Sequence, residues 1–236
     1  MLVIIYIIGY GRSGSTKLSQ VLENKLGAIN LGEVKYLYRD SKDDLLNQYW
    51  LTFKSENQDL LEEYSKEIIR FDNLFGFTRW NKREKYREIW EKLFDRVEID
   101  PETDIIIDSS KTTLDSFMRG IYLNYAFNEV YFVKPCRSSL GVFRSLLKGK
   151  NSNIEKGEKK PFVRRLLHTL FIGFPHYIVT HLLSLFYSRY ECVKVNLDSY
   201  EEDIDKFISQ LPLKKRNIGT NRKIPLIYGN RSRKER

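Results

Sequence analysis

The sequence contains few cysteines and few histidines. Of its 236 residues, two are cysteines, Cys136 and Cys192, and three are histidines, His168, His176 and His181. Two cysteines are too few for a disulfide scaffold, so a hydrophobic core must hold the fold, and we expect free thiols in a reducing compartment. The histidines are irregularly spaced and no carboxylate motif accompanies them, so we expect no metal site.

Internal repeats and low-complexity tracts are also lacking, and residues 41–98 contain no cluster of proline or glycine that would mark a separate domain. With 42% hydrophobic and 14% aromatic residues, the composition is that of a globular chain and excludes intrinsic disorder. We therefore expect a single domain over residues 1–236. Within it we expect a helical insert at 41–98 and, at 149–190, a polar loop followed by apolar helices that form a lid or an acceptor site.

Acidic residues are outnumbered by basic ones. The 31 Asp and Glu residues stand against 40 Lys and Arg, which gives a formal net charge of +9. Such an excess favours an anionic partner, namely a nucleotide, a nucleic acid, a sulfated or phosphorylated sugar, or an anionic membrane.

The apolar N-terminus lacks the features of a secretory signal. Residues 2–8 have no basic segment before them and no small-residue cleavage site after them. A short, Val- and Ile-rich run without polar alternation is typical of a strand buried on both faces of a parallel sheet. We read it as the first strand and predict a cytoplasmic protein.

A glycine-rich loop, residues 9–16 (GYGRSGST), follows this strand and opens onto a helix with one apolar face. Glycines let the backbone curl around an anion, and a helix start offers free N–H groups, so the pattern predicts a phosphate cradle. Ser15 stands where a nucleotide triphosphatase loop has its lysine, which suits a single phosphate better than a metal-bound triphosphate. Arg12 is placed to supply a bidentate contact to an oxyanion.

Polar residues follow the next two predicted strands. Glu33 comes just after the strand at 28–31, and Asp108-Ser109-Ser110-Lys111 follows the strand at 104–107. Ligands of open α/β sheets bind at this carboxyl edge. The alternatives are a helix-start carboxylate at Glu33 and an N-cap cluster at 108–110 for a helix from about Thr113.

An arginine and a serine follow the fourth predicted strand, at 128–134. Arg137 stands at the strand end and Ser145 eight residues later on the following helix, so both can close on one phosphate. A second register puts Lys134 in the place of Arg137, but Val142 then replaces the serine; we prefer the first.

Together these segments resemble the sulfotransferases that use 3′-phosphoadenosine-5′-phosphosulfate (PAPS). Residues 9–16 are similar to their phosphosulfate loop, G-x-x-R-S-G-[ST]-T. The Gly-Glu pair, the Asp-Ser-Ser-Lys segment, the Arg with Ser eight later, and a C-terminal G-N-x-x-R segment follow in order. Ser138-Ser139-Leu140 departs from the family's R-[DN]-P-[RK]. The resemblance implies a P-loop-like three-layer α/β fold, with a parallel sheet of about five strands flanked by helices.

The resemblance also implies roles for individual residues. Glu33 would be the base that deprotonates the acceptor hydroxyl, and Lys111 and Arg12 would stabilise the transferring group. The nucleotide would be bound by Gly11, Arg12, Ser13, Gly14, Ser15, Thr16, Arg137, Ser145, Gly229, Asn230 and Arg231. For the last three, a basic tail is the alternative. The implied partners are PAPS, from which 3′-phosphoadenosine 5′-phosphate is the product, and a hydroxyl-bearing acceptor such as a carbohydrate or lipid-linked sugar.

Two rival functions remain open. One is a P-loop kinase of small molecules, which the missing loop lysine disfavours. The other is a basic, non-catalytic module that binds anions or nucleic acid, which explains the charge but not the ordered motifs. We expect no nucleic-acid partner.

A strongly apolar run, residues 166–187, follows Arg164 and Arg165. It approaches transmembrane length, but Gly173-Phe174-Pro175 should break it into two buried helices. An interfacial helix pair and an apolar acceptor site are the alternatives. We expect no membrane span and, at most, peripheral contact with an anionic membrane.

Overall fold

The strands form one parallel sheet. The computed structural model describes residues 2–10, 13–34, 57–96, 105–148, 161–196 and 200–212. The strands are β1 (Val3–Ile7), β2 (Ile29–Gly32), β3 (Ile105–Asp108), β4 (Val130–Cys136) and β5 (Cys192–Asn196). Their order across the sheet is β2-β3-β1-β4-β5, and every pair is parallel. The carboxyl ends of β1 to β4 therefore meet at one edge, with β1 in the centre.

Helices cover both faces of the sheet. They are α1 (Ser15–Leu26), α2 (Gln58–Asp72), α3 (Arg83–Arg96), α4 (Arg119–Ala126), α5 (Ser139–Lys148), α6 (Phe162–His168), α7 (Phe174–Leu185) and α8 (Tyr200–Gln210), with a 3₁₀ segment at Leu74–Lys82. The even-numbered residues of β1 pack in the core with α2, α3 and α4, and its odd-numbered residues pack with α1 and α8. The prediction of a three-layer α/β fold with a five-stranded parallel sheet is confirmed.

The helix expected from about Thr113 begins later. It starts at Arg119, and residues 114–118 form turns instead. The hydroxyl of Ser116 donates to the carbonyl of Lys111 at 2.7 Å and exchanges a hydrogen bond with Thr113 at 2.9 Å. Such local side-chain bonds compete with helical ones, which explains the error.

A buried ion-pair network lies beneath this turn. Arg119 is fully buried; its Nε donates to Asp108 at 2.6 Å and a terminal nitrogen donates to Asp72 at 3.0 Å. Tyr86 also donates to Asp72, at 3.0 Å, and the guanidinium lies 4.2 Å from the centre of the Trp90 ring. One cation thus holds two buried carboxylates from α2 and β3 against α4.

Gly120 has no room for a larger residue. A Cβ built there would lie 2.7 Å from Tyr187 and 2.9 Å from Tyr6, and both rings are fully buried. We expect Gly120→Ala to lower the free energy of unfolding by about 1–3 kcal/mol, the cost of overpacking a core. Denaturant unfolding measures it, and a variant as stable as wild type would show that the rings move aside.

The predicted break at 173–175 was wrong. Residues Phe162–Arg189 form one continuous helical segment of 28 residues, here called the apolar helix. A single π turn, Thr169–Gly173, precedes α7, and the N–H of Phe174 reaches back to the carbonyl of Thr169. The wider turn accommodates Pro175, which would otherwise clash with the preceding turn.

The prediction of two buried helices was wrong as well. Only 28% of the most apolar window of this helix is buried against the rest of the protein. It is long and apolar enough to cross a membrane by length and composition.

Candidate functional site

The loop after β1 is shaped by two glycines. Gly9 and Gly14 have φ angles of 128° and 97°, which side-chain-bearing residues rarely adopt. Gly14 precedes α1, and its carbonyl accepts the N–H of Leu18 at 3.0 Å, the first bond of that helix. Ser13 closes the turn, because its backbone N–H and its hydroxyl both donate to the carbonyl of Tyr10. The described part of the loop thus has the strand–turn–helix form of a phosphate cradle.

Backbone hydrogen bonds join the loop after β1 to the segment after β3. The N–H of Gly9 donates to the hydroxyl of Thr112 at 2.9 Å, and the N–H of Thr112 donates back to the carbonyl of Gly9 at 3.1 Å. Thr112 is fully buried. The residue before it, Lys111, is therefore held next to the cradle.

The segments after β2 and β3 are joined in the same way. The N–H of Ser109 donates to the carbonyl of Gly32 at 2.8 Å, and the N–H of Val34 donates to the Ser110 hydroxyl at 3.0 Å. Both serines are buried. The loops that follow β1, β2 and β3 consequently form one connected edge.

Glu33 and Lys111 meet at this edge. The Lys111 ammonium donates to the Glu33 carboxylate, and both side chains stay partly exposed to solvent. The two residues are 78 positions apart in sequence, and the parallel pairing of β2 with β3 brings them together. A carboxylate and an ammonium in contact at a strand edge can move a proton and stabilise a developing negative charge.

The backbone of Lys111 is held in a strained conformation. Its φ of 67° is the one positive value for a non-glycine residue among the described segments, and costs about 1–2 kcal/mol. The hydroxyls of Tyr6 and Ser116 both donate to its carbonyl, at 3.0 and 2.7 Å. Burial raises the pKa of Tyr6, which keeps this hydroxyl a donor. The side chain of this strained residue is the one that contacts Glu33.

A cleft separates the loop after β1 from the end of β4 and from the apolar helix. The loop contributes Gly9, Tyr10 and Ser13, and β4 and its extension contribute Lys134 and Arg137. Tyr177, His181 and Ser184 of the apolar helix line the opposite wall. Two cations therefore share a cleft with the cradle, a combination suited to a ligand that carries more than one anionic group.

The cations of this cleft are not equally exposed. Lys134 is half-buried and donates to the Ser184 hydroxyl at 2.7 Å. Burial lowers the pKa of Lys134, and burial together with the nearby Lys134 cation lowers the pKa of His181. An anion in the cleft would offset the desolvation of Lys134.

Arg137 lies at the end of β4 and Ser145 lies on α5. Arg137 follows β4 directly and its side chain folds over the first turn of α5, so that a Cβ on Gly141 would lie 3.0 Å from its Nε. Ser145 is half-buried further along the same helix. In the second register, Val142 is buried and offers no hydroxyl, while Lys134 lines the same cleft as Arg137.

Several predicted site residues lie outside the described part of the chain. These are Gly11, Arg12, Gly229, Asn230 and Arg231. The structure instead adds residues that the sequence patterns missed, namely Tyr6, Thr112 and Ser184, and it places Lys134, the cation of the second register, in the cleft. For Tyr6, the one sequence feature that could have indicated a role was a hydroxyl-bearing residue within the otherwise apolar run 2–8.

No cluster of three or more His, Cys, Asp or Glu residues suited to a metal ion occurs within the described segments. Cys136 and Cys192 are free and half-buried, and burial raises the pKa of Cys192 to about 11. A thiol with so high a pKa is protonated at neutral pH and is a poor nucleophile.

Comparison with known proteins finds a distant structural neighbour. No protein-family model and no curated protein matches the chain. Among solved structures, the chain resembles the "Sulfotransferase Domain from the Curacin Biosynthetic Pathway", with a TM-score of 0.48 and 16% sequence identity. The likeness covers 91% of this chain and 76% of that one. At this distance it carries no argument about chemistry, which must come from the residues of the site.

Proposed function

We propose that the chain is a sulfotransferase that moves a sulfuryl group from PAPS to a hydroxyl acceptor by in-line transfer. The observation that carries this proposal is the contact between Glu33 and Lys111 beside the glycine-rich loop. Sulfuryl transfer needs a base that takes the proton of the acceptor hydroxyl. It also needs a cation that stabilises the negative charge on the oxygen bridging sulfur and the 5′-phosphate. Both groups stand at neighbouring strand ends, next to a turn of phosphate-cradle form.

In the proposed reaction, Glu33 accepts the proton of the acceptor hydroxyl while the oxygen of that hydroxyl attacks the sulfur of PAPS. A new O–S bond forms as the S–O bond to the 5′-phosphate breaks, and the electron pair stays on the bridging oxygen beside Lys111. The products are a sulfate ester and 3′-phosphoadenosine 5′-phosphate, and the proton remains on Glu33 until it passes to water. We assign Arg12, like Lys111, to stabilising the negative charge that develops during transfer.

The nucleotide is assigned to the cradle and the cleft. We place its 5′-phosphate on the loop residues Gly11, Arg12, Ser13, Gly14, Ser15 and Thr16. We assign the 3′-phosphate to Arg137 and Ser145, with Lys134 as an additional cation in the same cleft. Gly229, Asn230 and Arg231 are assigned to the face of the nucleotide away from the sheet. The cradle together with these cations supports a ligand with two separate anionic ends, which PAPS has and 5′-AMP lacks.

Transfer itself tests the proposal. The full chain is incubated with PAPS labelled in its sulfate, in the presence of a chelator, and with a panel of sugars, phenols and amphiphilic alcohols. We expect a labelled ester together with an equal amount of 3′-phosphoadenosine 5′-phosphate, and slower formation of both by Lys111→Ala. Phosphoryl transfer from magnesium-bound ATP to the same panel would support the kinase instead. Nucleotide binding without turnover of either donor would support the non-catalytic module.

Arg137→Ala tests the assignment of the 3′-phosphate. We expect it to weaken binding of 3′-phosphoadenosine 5′-phosphate by about 1.5–3 kcal/mol, the scale of a charged hydrogen bond, and to change 5′-AMP binding little. Arg144→Ala, which removes an exposed cation from the following helix, α5, is the matched control. If Arg137→Ala weakened the binding of both nucleotides equally, Arg137 would not be the residue that binds the 3′-phosphate.

A further inference from the structure

The apolar helix has its polarity reversed relative to a helix of a water-soluble protein. Its inward positions carry small or hydroxylated residues: Thr169, Gly173, Thr180, Ser184 and Tyr187 are buried. Its outward positions carry large apolar ones. Among the described residues, 11 of the 16 large apolar side chains that are exposed belong to this one helix. An exposed apolar surface so concentrated marks an interaction site.

These exposed side chains extend along the whole helix. Phe162, Phe171, Leu182 and Phe186 are exposed by 58, 74, 58 and 51%. The helix is 28 residues long, which corresponds to about 40 Å. The apolar surface is therefore an elongated strip and not a pocket.

The described segments that form and adjoin the apolar helix carry basic residues and no acidic ones. Residues 130–148 and 161–190, which form β4, α5 and the apolar helix, contain no Asp or Glu. The same segments contain seven cations, namely Lys134, Arg137, Arg144, Lys148, Arg164, Arg165 and Arg189. Within these described segments the charge that accompanies the apolar strip is positive only, which matches a surface that is apolar inside and anionic at its boundary, as an anionic bilayer is.

Contacts with the domain hold the helix along its length. Arg165 donates to the carbonyl of Leu147 at 3.2 Å near the start, and Tyr10 donates to the carbonyl of Gly173 at 3.2 Å near the middle. Near the end, Tyr187 donates to the carbonyl of Phe117 in the core. A helix anchored in this way presents one side to a membrane, whereas crossing the bilayer would break all three contacts.

We propose that the apolar helix lies in the plane of an anionic bilayer surface, with its apolar strip among the acyl chains and the surrounding cations at the head groups. Tyr177 and His181 of the same helix line the cleft described above, so docking brings that cleft to the level of the head groups. Binding to the bilayer requires only this surface and is independent of the proposed sulfuryl transfer.

Co-sedimentation of the full chain with vesicles tests the proposal. We expect binding to vesicles of phosphatidylcholine mixed with phosphatidylglycerol, weaker binding in high salt, and little binding to phosphatidylcholine alone. Phe171→Gln and Leu182→Gln should each lower the partition constant by about tenfold, the effect of withdrawing a large apolar side chain from the membrane. Both side chains are exposed, so the fold should not change, which thermal unfolding checks.

The 3₁₀ segment provides a matched control. Phe75 and Phe77 are exposed by 70 and 59% but belong to a different segment, Leu74–Lys82. Phe75→Gln combined with Phe77→Gln should leave vesicle binding unchanged. The proposal is overturned if wild type ignores anionic vesicles, if this control pair loses as much binding as the helix variants, or if the strip instead joins two copies of the chain in lipid-free solution.

The depth of the helix distinguishes lying in the surface from spanning. Tryptophan is introduced singly at the two ends and near the middle, as Phe162→Trp, Phe186→Trp and Phe171→Trp, and wild-type fluorescence is subtracted. Lipids brominated near the head group should quench the fluorescence of all three introduced tryptophans to a similar extent. Stronger quenching of the middle position by lipids brominated deep in the acyl chains would show a spanning helix and contradict the proposal.

Discussion

Replacing Glu33 with glutamine is expected to lower turnover by about 10²–10⁴-fold, the range for loss of a general base. Glutamine keeps the size of the side chain and a hydrogen-bond acceptor for Lys111, but it cannot take the acceptor proton. Affinity for 3′-phosphoadenosine 5′-phosphate should change little, since the carboxylate is not assigned to a phosphate. Steady-state rates with the best acceptor from the transfer assay, and calorimetry with the product nucleotide, measure the two effects.

Two controls separate a catalytic role of Glu33 from a structural one. Glu91→Gln removes a carboxylate that pairs with Arg87 on the surface of α3, and should leave turnover unchanged. In Glu33→Ala, added formate should restore part of the rate if the missing group is a proton acceptor. A Glu33→Gln variant as active as wild type would leave Glu33 as a structural partner of Lys111. Asp108 is no substitute base, because it is buried and bonded to Arg119.

The largest loss of stability is expected for Arg119→Met. Arg119 is the cation shared by Asp72 and Asp108, and all three side chains are buried. Methionine fills a similar volume but leaves two carboxylates together without a positive charge. Breaking a buried pair in this way costs about 3–5 kcal/mol, so much of the unfolding free energy of a domain would be lost. Urea unfolding of both proteins measures the difference.

Arg87→Met is the matched control for this variant. Arg87 pairs with Glu91 one helical turn away at 2.9 Å, and both side chains are 50% exposed. Because solvent screens such a pair, its loss should cost less than about 1 kcal/mol. If Arg119→Met were as stable as Arg87→Met, the network beneath Lys111 would not hold the sheet edge together.

The positions of the strands could be predicted closely from the sequence. β1 to β4 lie within two residues of the segments predicted for them, 2–8, 28–31, 104–107 and 128–134. The signal was clearest for β1, which is buried along its whole length and is continuously apolar. The start of α4 and the continuity of the apolar helix could not be predicted. Both depend on contacts from distant residues: Tyr6 with the turn before α4, and Tyr10 with the carbonyl of Gly173.

The candidate site could be predicted in part. The carboxyl-edge rule placed Glu33 and Lys111 at neighbouring strand ends, and the structure brings them into contact. The left-handed backbone of Lys111 could not be predicted, since the residue type does not favour it and the hydroxyls that stabilise it come from elsewhere. The contact of Lys134 with Ser184 could not be predicted, because the two residues meet only through packing of the apolar helix on β4.

The most direct measurement of the central claim is a calorimetric titration of the wild-type chain with 3′-phosphoadenosine 5′-phosphate and, separately, with 5′-AMP, both in the presence of a chelator. A cradle for one phosphate combined with a second anion site in the cleft predicts that the first nucleotide binds at least about tenfold more tightly, which corresponds to roughly one charged hydrogen bond. Equal affinities would contradict a site for the 3′-phosphate, and with it the use of PAPS.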